Sequence, residues 1–161
     1  MKKIALALIV IIVGIQFIRP AKNINTVDPT KQITVVAPMP ENVQIILKKA
    51  CNNCHSNNSI YPWYSNIQPV YFWLSGHIND GKRHLNFDEF ATYKLRKQYH
   101  KMEETIDMVK ENNMPLKSYL LLHNEAKLTQ EEKATITSWA QSVMDTMKNR
   151  YPIDSLIKKK S

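Results

Sequence analysis

From Ile4 to Ile18 the chain is apolar apart from Gln16, and charge stands only at the edges of the run, Lys2 and Lys3 before it and Arg19 after. Such a stretch has no polar face and predicts a helix that needs apolar surroundings on all sides. Beyond it the pattern dissolves. Residues 20–40 hold Pro20, Pro29, Pro38 and Pro40 among Asn23, Asn25 and Thr26, without a sustained period, which is the composition of a tether. ITVV at 33–36 comes nearest to a strand.

Helical periodicity begins at ENVQIILKKA, 41–50, where Val43, Ile46, Leu47 and Ala50 recur at steps of three and four and Glu41 suits the first turn. The aromatic, turn-rich SNNSIYPWYSN predicts a loop over an apolar surface. Gln68 to Asn79 predicts a helix with Val70, Trp73, Leu74 and His77 on one face, ended by Asn79-Asp80-Gly81. Asn86 is placed to cap a helix through Phe87, Phe90, Ala91 and Leu95 to Val109, with a break hidden in KLRKQYHK. ENNMPLKSY reads as a turn carrying Met114-Pro115, and Ser118 to His123 as a short helix. The last helix is signed most clearly. Thr129 and Glu132 make a capping box ahead of the stripe Ile136, Trp139, Ala140, Val143 and Met147.

The expected fold is therefore all-α, with a signal anchor over 1–19, a proline-rich tether over 20–40, one domain over 41–150 and a basic tail over 151–161. The anchor reading rests on the N-terminal lysines, on the apolar run, and on the lack of small residues of the A-x-A type in Gln16-Phe17-Ile18-Arg19-Pro20. It predicts one uncleaved transmembrane segment with the rest of the chain exported and facing the periplasm. The formal net charge is +8, but Lys2, Lys3 and Arg19 carry three of those charges, and Lys158, Lys159 and Lys160 three more. Elsewhere basic and acidic residues are interspersed, which argues against nucleic-acid binding.

Both cysteines and one histidine fall in CNNCH, 51–55. Two thiols at this spacing can chelate zinc, cycle as a dithiol, or add to the vinyl groups of haem with the next histidine as iron ligand. A structural zinc site needs four ligands, and His77, His84, His100 and His123 are scattered. A thioredoxin-like site needs a strand before the motif, whereas a helix precedes it here. Haem attachment uses both cysteines and agrees with an exported chain.

The combination of CNNCHS, YPWYS, HINDG, Asn86-Phe87, MPLKSY and His123 before LTQEE resembles the haem-binding domain family of small exported proteins, of the kind abundant in Bacteroidetes. In plan that family is similar to class I cytochromes c. The resemblance covers about residues 41–143, with Phe90 where the family pattern has tryptophan. It implies a mono-haem c domain with Cys51 and Cys54 as attachment sites and His55 as proximal iron ligand.

For the other side of the iron, Met114 is the prime candidate. Pro115 keeps its backbone extended and out of helix, and a thioether favours the ferrous state. Met102 and Met108 fall in a helix, and Met144 and Met147 near the C-terminal stripe, where methionine fills core. His77, on an apolar face, is the competing ligand or pocket residue. His123 is expected to cap a helix end or pair with a haem propionate, and His84 and His100 to lie at the surface. Trp63 and Tyr64 are expected to wall the pocket. Two functions follow: an electron carrier docking transiently on a redox partner protein, or a gas or peroxide sensor, or small peroxidase, with an open or His77-associated distal site. No acid, base or nucleophile constellation accompanies the motif, so an enzyme is not expected.

Overall fold

The structure, a computed structural model, describes residues 1–158; Lys159 and Lys160 of the predicted basic tail lie outside the described residues. Eight α-helices occur among those described: α1 Lys2–Ile15, α2 Glu41–Ala50, α3 Asn52–His55, α4 Val70–His84, α5 Leu95–Lys110, α6 Lys117–Leu120, α7 Gln130–Arg150 and α8 Ile153–Leu156. The chain is all-helical, with no strand among the described residues beyond an isolated bridge between Ile24 and Asn58.

Helices α5 and α7 are the central pair. Tyr99, Met102, Ile106 and Val109 of α5 face Ile136, Ala140, Val143 and Met147 of α7, each set recurring at helical steps so that one stripe of either helix is removed from water. The Thr129–Glu132 capping box starts α7 as expected, both of its reciprocal hydrogen bonds being present. Helix α2 adds Val43, Ile46 and Leu47 to the same core, and Leu156 of α8 closes the far end. Met102, Ile136, Ala140 and Val143 are fully buried.

Several expectations are corrected. Residues 20–40 are no tether, because their polar side chains and backbone have partners on the domain. The buried Asn23 side chain donates to the Ser56 carbonyl and Ser59 Oγ, Tyr71 Oη donates to the Pro20 carbonyl, and Trp139 Nε1 donates to the Pro38 carbonyl. The sequence ITVV forms a 3-10 turn over Ile33–Val35, with Ile33 in the core. The helix expected from Asn86 starts only at Leu95, and KLRKQYHK forms its opening rather than a break. Asn86 Oδ1 instead accepts from the Asp88 amide, and the Asp88 carboxylate accepts from the Asn57 amide, which binds residues 85–88 across the cysteine motif.

The predicted transmembrane segment is corrected too. Helix α1 is 14 residues long and stops at Ile15, which gives about 21 Å at 1.5 Å per residue, against a hydrocarbon core of about 30 Å. No helix among the described residues is long and apolar enough to cross a membrane. The helix ends before the apolar run does, and beyond it the Gln16 side chain accepts from the Gln68 amide while Arg19 donates to the Asn66 carbonyl. The single transmembrane segment and the periplasm-facing location drawn from it are therefore withdrawn.

Candidate functional site

Helix α2 breaks at Cys51, and the short turn α3 carries Asn52 to His55 away from its axis. Around this corner lies a cavity of about 550 Å³, within the range of roughly 300–1,000 Å³ usual for small-molecule and cofactor sites. Cys51, Cys54 and His55 line one part of it; Leu47, Phe87, Leu128 and Ile136 supply apolar wall; Met108, Met114 and Leu116 border it from the end of α5 and the turn beyond. Helix α4 contributes His77, Asp80, Gly81 and His84, which recur at steps of three and four and so form one face.

His55 is held from two directions. Its Nδ1 lies 2.9 Å from the Leu85 carbonyl, and since a carbonyl can only accept, Nδ1 carries the proton and Nε2 keeps its lone pair. The His55 carbonyl accepts from the Phe87 amide at 2.9 Å, and the Phe87 ring meets the imidazole edge-on at 6.3 Å between centroids. Burial is the main cause holding the His55 pKa below its ordinary value, partly offset by the Leu85 carbonyl bond. The Leu85 bond thus orients the ring and directs Nε2 as the nitrogen for a ligand bond, the arrangement required of an imidazole ligand.

Burial also pushes the Cys54 thiol up to about 11 and, with the neighbouring Cys54 charge adding to it, the Cys51 thiol up to about 12. Reactive thiolates need surroundings that lower the thiol pKa, and here burial raises both. Among the described residues no group of three His, Cys, Asp or Glu could hold a metal ion. The raised thiol pKa values count against the dithiol reading of CNNCH.

Gly81 has a role other than the helix stop that its place in Asn79-Asp80-Gly81 suggests. It does not end a helix, for α4 continues to His84. A Cβ at Gly81 would stand 2.6 Å from the Cys54 carbonyl oxygen and 2.9 Å from Cys54 Cβ, so only glycine lets α4 approach the second cysteine this closely.

The other candidates fall on different sides of the cavity wall. Met114 and His77 line it, whereas Trp63 and Tyr64 do not: Trp63 is 76% exposed, and Tyr64 Oη bonds His123 Nε2. His123 neither caps a helix C-terminus nor faces the cavity. Its Nδ1 bonds Glu125, and its ring stacks on Tyr119, an aromatic that does line the cavity. His100 pairs with Glu103 and Glu104 at the surface, but His84, expected there too, lines the cavity. Asp80, His84, Lys101, Glu104 and Thr105 give the lining a charged and polar side.

Residues 10–142 match the haem-binding domain family. The chain belongs to that family. No curated protein and no solved structure matches the chain. The family match begins inside α1 and includes residues 20–40, in keeping with the hydrogen bonds that seat this segment on the haem-binding domain. The donor set suits the cofactor: an oriented imidazole, two partly buried thiols at the cavity wall, a thioether, and an apolar lining with one charged side.

Proposed function

We propose that this haem-binding domain holds one haem c covalently and serves as a one-electron carrier for a redox partner protein. The observation that carries the reading is the convergence of Cys51, Cys54, His55 and Met114 on a single apolar cavity. In this reading the two cysteines are the attachment sites, His55 Nε2 is the proximal iron ligand and Met114 the distal one. Once bound, the group supplies a reversible ferric/ferrous couple. The chain's own contribution is positional. Leu85 fixes the imidazole tautomer, Gly81 allows α4 to close on Cys54, and Phe87, Leu128 and Ile136 keep water from one side of the site.

His77 lines the same cavity and supports a second reading, in which the distal position is open or histidine-associated and takes a gas or peroxide. The deciding experiment is spectroscopy on protein matured in a host that attaches haem. A haemochrome that stays with the chain after acid-acetone extraction, together with a low-spin ferrous protein that binds carbon monoxide slowly, is the expected result. Extractable haem would sink covalent attachment. High-spin ferrous protein that takes up carbon monoxide at once would favour the sensor.

A further inference from the structure

Seven methionines occur in the chain, and they divide sharply. Met102, Met144 and Met147 are sealed in the α5/α7 core, and Met39 packs against its edge. Two line the cavity that holds His55: Met114 and Met108. Met108 is 39% exposed, so it is not spent on core packing, and with three side-chain torsions its sulfur can reach over a wide arc.

The end of α5 explains why the two stand together. Asn112 adopts φ of 60°, the left-handed region, and Asn113 donates its amide to the Met108 carbonyl at 2.9 Å while Asn112 donates to Val109 at 3.3 Å. These two bonds are the paired bonds of a Schellman helix end. Asparagine is one of the few residues other than glycine that takes the left-handed position routinely. The chain then folds back so far that the Met114 amide also reaches the Met108 carbonyl, at 3.1 Å. One carbonyl thereby ties the two methionine backbones to each other beside the cavity.

We infer that Met108 is a second thioether donor for the iron position served by Met114, so that the iron keeps a sulfur ligand when either methionine is displaced. The inference rests on the haem c reading above. A pair of soft donors, either of which can ligate, holds the ferrous iron six-coordinate and closed to gases, which suits a carrier and opposes a sensor. No proton is gained or lost in the exchange; one Fe–S bond breaks as the other forms.

Leucine matches methionine in volume and keeps the cavity wall, so the test uses Met108→Leu, Met114→Leu and the double variant in the haem-loaded full chain. Two readouts are combined: carbon monoxide binding to the ferrous protein, and the ring-current-shifted methyl resonance of ligated methionine in protein labelled with ¹³C-methyl methionine. Each single variant should keep a shifted methyl and bind carbon monoxide slowly. The double variant should lose the methyl and bind faster by about tenfold or more. If Met114→Leu alone behaves like the double variant, the spare-donor inference is overturned while the Met114 ligand stands. If the double variant keeps wild-type carbon monoxide kinetics, neither sulfur ligates and the distal assignment falls with the inference. Helical circular dichroism and denaturant midpoints on the same samples separate these outcomes from loss of fold.

Discussion

The two halves of the haem-binding domain are held together by different physics. Of the nine buried polar residues among those described, eight fall from Asn23 to Asp88, the part that includes the cysteine motif, and Gln98 lies beyond. The α5/α7 half is joined by interlocking apolar stripes, which are non-directional and specify little beyond tight filling. The motif half is joined by directional bonds from Asn23, Asn57, Asn86 and Asp88 to loop backbone and to one another, and among the described residues no buried side-chain nitrogen or oxygen lacks a partner. Packing there supplies bulk stability, and the polar network supplies the geometry in which His55 is aimed.

The largest expected effect belongs to the apolar half. Met102 is fully buried, lies away from the cavity and has its whole side chain in the α5/α7 core. Met102→Ala should cost about 2–5 kcal/mol through lost burial and the cavity left behind. Chemical denaturation should show the lower midpoint while the haem spectrum of the folded protein stays that of wild type. A changed spectrum would mean that the core and the site are not separable in this way.

A smaller and more local effect is expected across the network. The buried Asp88 accepts from the Asn57 amide at 2.7 Å and from Gln32 Nε2 at 3.0 Å, so Asp88→Ala leaves two donors without their acceptor. The cost should be about 1–3 kcal/mol. Hydrogen exchange should locate it: the Asn57 amide and the Phe87 amide on the His55 carbonyl lose protection beyond the global change, while α7 amides follow the global change alone. Excess loss spread evenly over α7 would erase the distinction between the halves.

The same contrast explains what could be read from the chain. The α2 stripe, the capping box and the α7 stripe were legible because their partners lie three and four residues apart. The motif was legible as chemistry, and Met114 as a ligand candidate, since residue type and a following proline are local facts. The polar half was not legible, because Asn23 meets Ser56 and Asp88 meets Gln32, and no local period marks such pairs. Asn86 and Gly81 misled for one reason. Each has a common local role, helix cap and helix stop, and here each serves the cysteine turn instead, Asn86 by bonding Asn57 and Gly81 by offering no Cβ to Cys54. Prolines and asparagines likewise gave 20–40 the look of a tether while their partners sat on the domain.

The smallest effect tests whether charge adds to the apolar half. Glu132 closes the α7 capping box and also pairs with Lys49 of α2, so it links two elements of that half. The hydrogen bond from Lys49 is the main cause holding its carboxyl below the usual range, with the Thr129 amide bond next. A lowered folded-state pKa means that the unfolded chain binds the proton more readily, so the contribution is complete above the ordinary glutamate range and is lost as pH falls through the folded value. Glu132→Gln removes the charge and leaves a side chain that can still complete the box. At neutral pH and low salt its denaturant midpoint should indicate a loss of under about 1 kcal/mol, because a partly exposed pair is screened. The difference from wild type should shrink as pH is taken below the ordinary glutamate range of about 4 and on through the lowered folded value, where the wild-type carboxyl is itself protonated. A difference that persists unchanged in acid would assign the effect to the shape of the helix end and not to the Lys49 pair.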